Sequence, residues 1–216
     1  MDVYWSQLLV PAFATLFVVV DPIGLVPMFL SLTDGMDAKA RRSTAVRATF
    51  LAGAVLLVFA VAGRAALDFL GISLPAFRIA GGILLFVLAL EMLFEKRSER
   101  RAKNVEEAGA ADTASSTDEI WVFPLGIPLI AGPGAIASVI LLMSTHAGSR
   151  VEQMLVIAVL AAVLIQTLGL FLLAARLKRF LSATAIRAMT RLLGMILAAL
   201  AVQFVLTGLK DAGIVG

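Results

Sequence analysis

The pair Asp21-Pro22 lies in the middle of an apolar segment that runs from Leu8 to Leu32. A carboxylate at the centre of a bilayer costs about 2.5 kcal/mol or more, and proline removes a backbone donor where no water can replace it. Aspartate is a favoured helix N-cap, and proline is a favoured first helical residue. The pair therefore predicts that one helix ends and a second begins near the midplane of the first membrane span.

A second apolar segment, from Ile120 to Met143, is also interrupted. Its helix-breaking residues are Pro124, Gly126, Pro128, Gly132, Pro133 and Gly134. A straight helix does not tolerate that density of proline and glycine, although a simple kink remains open as an alternative. Interruptions at corresponding places in two halves of a chain indicate a transport site near the membrane midplane.

Each interruption predicts a half-helix that begins inside the membrane, and the two N-termini are expected to face each other. A helix N-terminus carries a partial positive charge and unpaired N–H groups, which suit the carboxylate of a small solute. A nearby anion such as Asp21 is then better suited to an ammonium group, a sodium ion or a transferred proton. The predicted substrate-binding residues are Asp21, Pro22, Gly24, Gly132, Pro133, Gly134 and Ser138.

Four polar residues inside the apolar segments are candidates for ion coupling or proton relay: Asp21, Glu91, Gln166 and Gln203. Two alternatives remain open for the last three. Glu91 is near the end of its span and could reach the membrane interface, and uncharged amides often only tie helices together.

The composition excludes a soluble protein. Of the 216 residues, 61% are hydrophobic and 15% are charged, and the mean hydropathy is +1.00. A membrane span needs about 20 mostly apolar residues. The predicted spans, numbered one to six, are Leu8–Leu32, Val46–Leu70, Leu74–Phe94, Ile120–Met143, Val151–Ala175 and Arg187–Leu209.

Several chemistries find no support in the residues present. The chain has no cysteine and a single histidine, His146, with no second ligand nearby, so no metal or other cofactor is expected. A phosphate-binding loop of the Gly-x-x-x-x-Gly-Lys-Ser/Thr type does not occur. Coupling to protons or sodium, or plain exchange, remains open, and an enzyme is not expected.

The basic residues predict the orientation of the chain. With the N-terminus outside the cytoplasm, 14 of the 18 Lys and Arg residues fall in cytoplasmic connections, as the positive-inside rule requires. No positive region precedes span one, so it is not expected to be a cleaved signal peptide. We expect a multi-pass inner-membrane protein that contacts lipid rather than nucleic acid, with both termini outside the cytoplasm.

Residues 95–119 are mixed in charge and rich in Ala, Ser and Thr, which predicts a flexible cytoplasmic linker, a solvated charge run, between residues 1–94 and 120–216. Three spans in each part mean that, if the halves share a fold, they have inverted topology. Two alignments support a repeat of three helices. Arg78 to Leu84 matches Arg191 to Leu197, and Asp21-Pro22-Ile23-Gly24 matches Gly132-Pro133-Gly134-Ala135.

The sequence resembles the MarC family of bacterial inner-membrane proteins. The resemblance rests on the motif at residues 21–27, on Pro124-Leu-Gly-Ile-Pro-Leu-Ile-Ala-Gly-Pro-Gly-Ala135, and on the six-span layout with its central linker. It implies an all-α polytopic fold and transport of small neutral amino acids such as glycine or alanine.

The working hypothesis is a secondary transporter that moves small neutral amino acids by alternating access. A channel or an exporter of other small solutes remains an alternative. An intramembrane enzyme is disfavoured because a cysteine or an embedded histidine is missing. The sequence does not address the oligomeric state.

Overall fold

The computed structural model describes residues 2–97, 99–103, 120–177 and 182–215, and every regular element in these ranges is helical. In chain order the helices are α1 (Asp2–Val20), α2 (Pro22–Leu32), α3 (Ala38–Phe69), α4 (Leu74–Leu93), α5 (Trp121–Ile130), α6 (Pro133–Thr145), α7 (Arg150–Leu177) and α8 (Ala183–Asp211). Residues 104–119, most of the predicted linker, lie outside the described ranges.

The predicted fold class, an all-α polytopic protein, is confirmed. Within the described ranges five segments are long and apolar enough to cross a membrane, and there are six if α5 and α6 are counted together as one bent span. Span two begins at Ala38 and span six at Ala183, earlier than predicted. The added turns of span two carry Lys39, Arg41 and Arg42, which hydropathy alone does not assign to a span.

The outside of the helix bundle is apolar. Phe50, Val61 and Ile165 are 79%, 69% and 69% exposed. Monomeric soluble proteins rarely expose contiguous apolar patches of more than a few hundred Å², whereas lipid tails favour such a surface. Together with the span lengths, this exposure makes the chain an integral, multi-pass membrane protein.

Spans one and four are both interrupted where the sequence predicts. Asp21 separates α1 from α2. In span four, Phe123 and Ile127 adopt extended backbone angles inside α5, because a residue before proline is pushed away from the helical region. The axes of α5 and α6 then differ by 54° across the break at residues 131–132.

Helices α4 and α8, which form spans three and six, pack closely and run antiparallel. Glycines permit the close approach, since a Cβ on Gly82 would lie 2.7 Å from Val205 and one on Gly208 would lie 2.7 Å from Ile79. Ion pairs join both ends: Arg78 near the start of α4 pairs with Asp211 at the end of α8. Correspondingly, Arg191 in α8 lies 2.6 Å from Glu95, which follows α4.

Spans one and four also pack on helices of the opposite half of the chain. Span one, α1 and α2, packs on α7 of the other half, where the rings of Phe29 and Phe171 stack with centroids 4.4 Å apart. Span four, α5 and α6, packs on α3 of the first half. Each first span thus packs on the second span of the other half. The inverted repeat itself stays a prediction.

Candidate functional site

The break in span one is built around Asp21. Its backbone adopts the left-handed conformation, with φ 56° and ψ 62°, and its side chain caps α2 by accepting a hydrogen bond from the Gly24 N–H at 3.1 Å. The residue is 2% exposed. A Cβ on Gly24 would collide with the Asp21 carboxylate, so the missing side chain of Gly24 lets the cap form.

The break leaves the last carbonyl groups of α1 without helical donors, because Pro22 has no N–H and the Gly24 N–H is taken by Asp21. Two arginines from beyond α4 supply the missing donors. Arg97 donates to the Val18 carbonyl at 3.4 Å and also to the Val19 carbonyl. Arg101 donates to the Val20 carbonyl at 3.3 Å.

Arg101 also forms an ion pair with Asp21, with 3.1 Å between Nη1 and Oδ2. The two side chains are 8% and 3% exposed, so both charges are removed from solvent. The expected free negative charge of Asp21 beside a ligand is therefore not what the structure shows. Its carboxylate is occupied by Arg101 and by the Gly24 N–H.

We call residues 95–97 and 99–103 the arginine segment. Glu95 adopts a left-handed conformation with φ 62°, and residues 96–97 and 99–103 are helical. The expectation that this charged stretch is solvated is wrong at Arg97 and Arg101, which are only 4% and 7% exposed. The free carbonyls at the end of α1 and the carboxylate of Asp21 explain why arginine is stable there.

The break in span four has no such side-chain cap. Gly132 precedes α6 in an extended conformation and makes no side-chain hydrogen bond, and Pro133 is the first helical residue. Among the described residues no acceptor is found for the next N–H groups, those of Gly134 and Ala135. The N-terminus of α6 therefore keeps hydrogen-bond donors and the partial positive charge of a helix start.

The two breaks lie side by side. A Cβ on Gly134 would lie 3.2 Å from Val19 Cγ1 and 2.9 Å from Leu88 Cδ2. A cavity of about 240 Å³ lies at this junction. It is lined by Val19 and Leu88, by Arg97, Arg100 and Arg101, and by Pro128, Leu129, Ile130, Gly132, Pro133, Gly134 and Ala135. Ligand pockets for drug-sized molecules are about 300–1,000 Å³, so this cavity suits a smaller ligand.

The charges around the cavity do not balance. Arg101 pairs with Asp21, and Arg100 pairs with Glu91 at 2.7 Å. Arg97 has no carboxylate partner among the described residues. Burial is the largest cause that lowers the pKa of Arg97, to about 9, so its guanidinium is a cation near neutral pH, and burial is also the largest cause that lowers the pKa of Arg101. The cluster therefore carries a net positive charge that an anion would offset.

The structure brings part of the predicted site together. Gly132, Pro133 and Gly134 line the cavity, whereas Asp21, Pro22 and Gly24 do not. Ser138 is fully buried one turn after Gly134, and its hydroxyl has no partner among the described residues. It does not line the cavity either.

The predicted coupling residues are not gathered at one place. Glu91 is close to the cavity through its contact with Arg100, and its Oε2 is buried without a partner among the described residues. Gln166 and Gln203 are exposed on the outside of the bundle, and Gln203 donates to Thr207 at 3.3 Å. Neither amide lines the cavity, and their roles in coupling or in tying helices together stay predictions.

The three cavity-lining arginines were missed as site residues from the sequence. Their spacing was visible, since Arg97 and Arg101 are four residues apart and share a helix face. A further signal was the Asp-Pro break itself, which predicts free carbonyls and a buried carboxylate that need cationic donors. Among the described residues no group of three or more Asp, Glu or His side chains could hold a metal ion.

The fold and the site define the class of protein as a polytopic integral membrane protein in which two broken spans meet at a small cationic cavity. The family model described as MarC family integral membrane protein matches residues 6–212. The chain belongs to the MarC family.

Similar proteins occur in archaea and bacteria. The chain is 36% identical to UPF0056 membrane protein MJ1677 of Methanocaldococcus jannaschii, over 95% of this chain and 98% of that protein. It is 37% identical to UPF0056 membrane protein YhcE of Escherichia coli, over 92% and 90% of the two chains. It is also 37% identical to UPF0056 membrane protein YvbG of Bacillus subtilis, over 94% of each. No solved structure matches the chain.

Proposed function

We propose that the protein is a secondary transporter that moves small neutral amino acids across the inner membrane by alternating access. The observation that carries the proposal is the 240 Å³ cavity at the junction of two broken spans, one from each half of the chain. Discontinuous helices that meet at a cavity are typical of substrate sites in secondary transporters. We call the transported solute the cargo.

The break between α5 and α6 offers both kinds of contact that a zwitterion needs. The first N–H groups of α6, at Gly134 and Ala135, suit a carboxylate. The last carbonyls of α5, which belong to the cavity-lining residues Pro128, Leu129 and Ile130, suit an ammonium group. The small volume of the cavity favours glycine or alanine over larger amino acids.

The arrangement of the two ends of α6 supports alternating access. The cavity at the start of α6 reaches the surface beside Arg100, whose side chain is 56% exposed. A separate open vestibule of about 1080 Å³ lies beside the end of α6, where Arg64 and Arg150 are among its lining residues. Between them α6 is buried at Val139, Leu141 and Leu142. The cargo site in this conformation is open on the side of the arginine segment.

Proteoliposome counterflow tests the function directly. Vesicles that contain the purified protein are loaded with unlabelled alanine, and the transient uptake of labelled glycine or alanine is followed against empty vesicles. A carrier gives overshoot and saturation, whereas a channel gives neither. Repeating the measurement with imposed proton and sodium gradients identifies the coupling. Absence of counterflow across a panel of small neutral amino acids would refute this function.

The proposed orientation places both termini outside the cytoplasm, so that the arginine segment is cytoplasmic. The chain has no cysteine, so a single introduced cysteine gives an unambiguous label. We expect Gly148→Cys, after α6, to react with an impermeant maleimide in intact cells and Ser116→Cys to react only after permeabilisation. The opposite pattern would reverse the orientation.

A further inference from the structure

Arg97 is the side chain around the cavity whose charge is least well compensated. It is 4% exposed and lines the cavity, yet its contacts are the neutral Val18 and Val19 carbonyls and Met92 Sδ, at 3.0 Å. Removing a guanidinium from water without a counter-charge is costly. A buried, unbalanced cation in the wall of a cavity favours an anionic group inside that cavity.

The guanidinium of Arg97 has hydrogen-bonding capacity left over. An arginine carries five N–H groups, and the contacts with Val18, Val19 and Met92 use three of them. Within the described part of the chain the other two, on Nε and Nη2, have no acceptor. A carboxylate can accept two parallel bonds from an arginine in a geometry that is both strong and specific.

Arg97 and the N-terminal residues of α6, Gly134 and Ala135, line the same cavity. Arg97 bonds to the carbonyl of Val19, and the side chain of Val19 lies against Gly134 in the first turn of α6. The free N–H groups of α6 and the spare donors of Arg97 therefore border one small volume. Arg100 and Arg101 border it too, but each already has a carboxylate partner.

We propose that Arg97 binds the carboxylate of the cargo, jointly with the N–H groups of Gly134 and Ala135. This inference rests on the proposed transport function and names the group by which the cargo is recognised. Recognition then depends on the carboxylate, and the ammonium group adds affinity without being required. The chemical class of ligand is a small monocarboxylate, of which a small neutral amino acid is one example.

Three related probes separate the contributions of the two charged groups: alanine carries both, propionate carries only the carboxylate, and ethylamine carries only the ammonium. Binding is measured by titration calorimetry and thermal shift on the purified full-length protein in nanodiscs. We expect alanine and propionate to bind and ethylamine not to bind. Binding of ethylamine without binding of propionate would overturn the proposal.

Two variants of Arg97 test the residue itself. Arg97→Gln keeps an N–H donor for the carbonyls of α1 but removes the charge, and Arg97→Lys keeps the charge but loses the two-pronged geometry. We expect at least tenfold weaker propionate binding for Arg97→Gln and partial retention for Arg97→Lys. Arg42→Gln, an exposed site with the same change of charge, is the control and should bind as the wild type does. Equal propionate affinity in folded Arg97→Gln and wild type would overturn the proposal.

The outcome stays informative if Arg97→Gln does not fold, because the comparison of probes uses the wild-type protein and Arg97→Lys provides a second variant. Counterflow in proteoliposomes separates this proposal from the proposed function. Carboxylate binding that depends on Arg97, without counterflow, would leave the binding residue in place and remove the transport function. Alanine counterflow together with binding that does not depend on Arg97 would support the transport function and remove Arg97 as the binding residue.

Discussion

The buried ion pair between Asp21 and Arg101 should be among the most sensitive points of the structure. The two side chains are 3% and 8% exposed, and the pair joins the break in span one to the arginine segment. Removing one partner of a buried pair leaves the other charge uncompensated and costs about 3–5 kcal/mol. Asp21→Asn preserves a capping oxygen for the Gly24 N–H, so we expect a loss of about 3 kcal/mol from the charge alone.

Asp21→Ala removes the cap as well, which adds about 1 kcal/mol. Arg101→Gln leaves the carboxylate buried and should cost about as much as Asp21→Asn. In the double variant Asp21→Asn/Arg101→Gln neither charge remains. Its loss should therefore be clearly smaller than the sum of the two single losses, with a coupling energy of about 2–3 kcal/mol.

The assay is equilibrium unfolding of the purified protein in one detergent, followed by helical circular dichroism, with the variants measured side by side. Arg42→Gln is a control for the loss of one positive charge at an exposed position. If the two single losses add to within about 0.5 kcal/mol in the double variant, the residues do not interact in the folded state. That result would refute the described contact between span one and the arginine segment.

Three further expectations concern other contacts in the structure. Gly24→Ala should destabilise the protein because a Cβ there displaces the capping carboxylate, whereas Gly169→Ala, with open space around it, should be neutral or slightly stabilising in thermal unfolding. Gly132→Asp should abolish propionate binding in calorimetry by capping α6 and adding a negative charge, while Gly132→Ala, which introduces the same Cβ, should retain more of it. Arg78→Gln should lower the unfolding midpoint more than Arg191→Gln does, because the two arginine side chains are 6% and 56% exposed. Equal effects within any of the three pairs would contradict the corresponding contact.

The course of the helices could be predicted because the relevant signals are local. A run of apolar residues predicts a span, and the preference of Asp and Pro for the start of a helix predicts the break at Asp21-Pro22. Antiparallel α4 and α8 also follow from the sequence, since two spans, an even number, lie between them and both helices cross the membrane. The close contact at Gly82 and Gly208 did not follow, because glycine in a membrane helix has several uses.

The composition of the site could be predicted only in part. Gly132, Pro133 and Gly134 were identified because the proline and glycine residues that interrupt a helix are visible in its own sequence. Arg97 and Arg101 lie in a stretch of mixed charge, and such a stretch is usually solvated. They are buried because they donate hydrogen bonds to the free carbonyls of α1, which lie some 80 residues earlier in the chain. Composition alone does not show which charged segment supplies the donors for those carbonyls.

Asp21 in the first interruption aligns with Gly132 in the second, and this difference decides which of the two breaks keeps unfilled hydrogen bonds. At Asp21 the chain supplies its own acceptor, and the charge of that acceptor is paired with Arg101, so the first break is closed by side chains of the protein. At Gly132 there is no side chain, and the donors of α6 are left without acceptors among the described residues. Arg97 is held beside them by the carbonyls of α1 and also keeps spare donors. Because one break is satisfied internally and the other is not, the unfilled hydrogen bonds and the unbalanced charge occur together between the two halves. A bound carboxylate would accept the unfilled hydrogen bonds and offset the unbalanced charge, and it would thereby join α6 to the arginine segment.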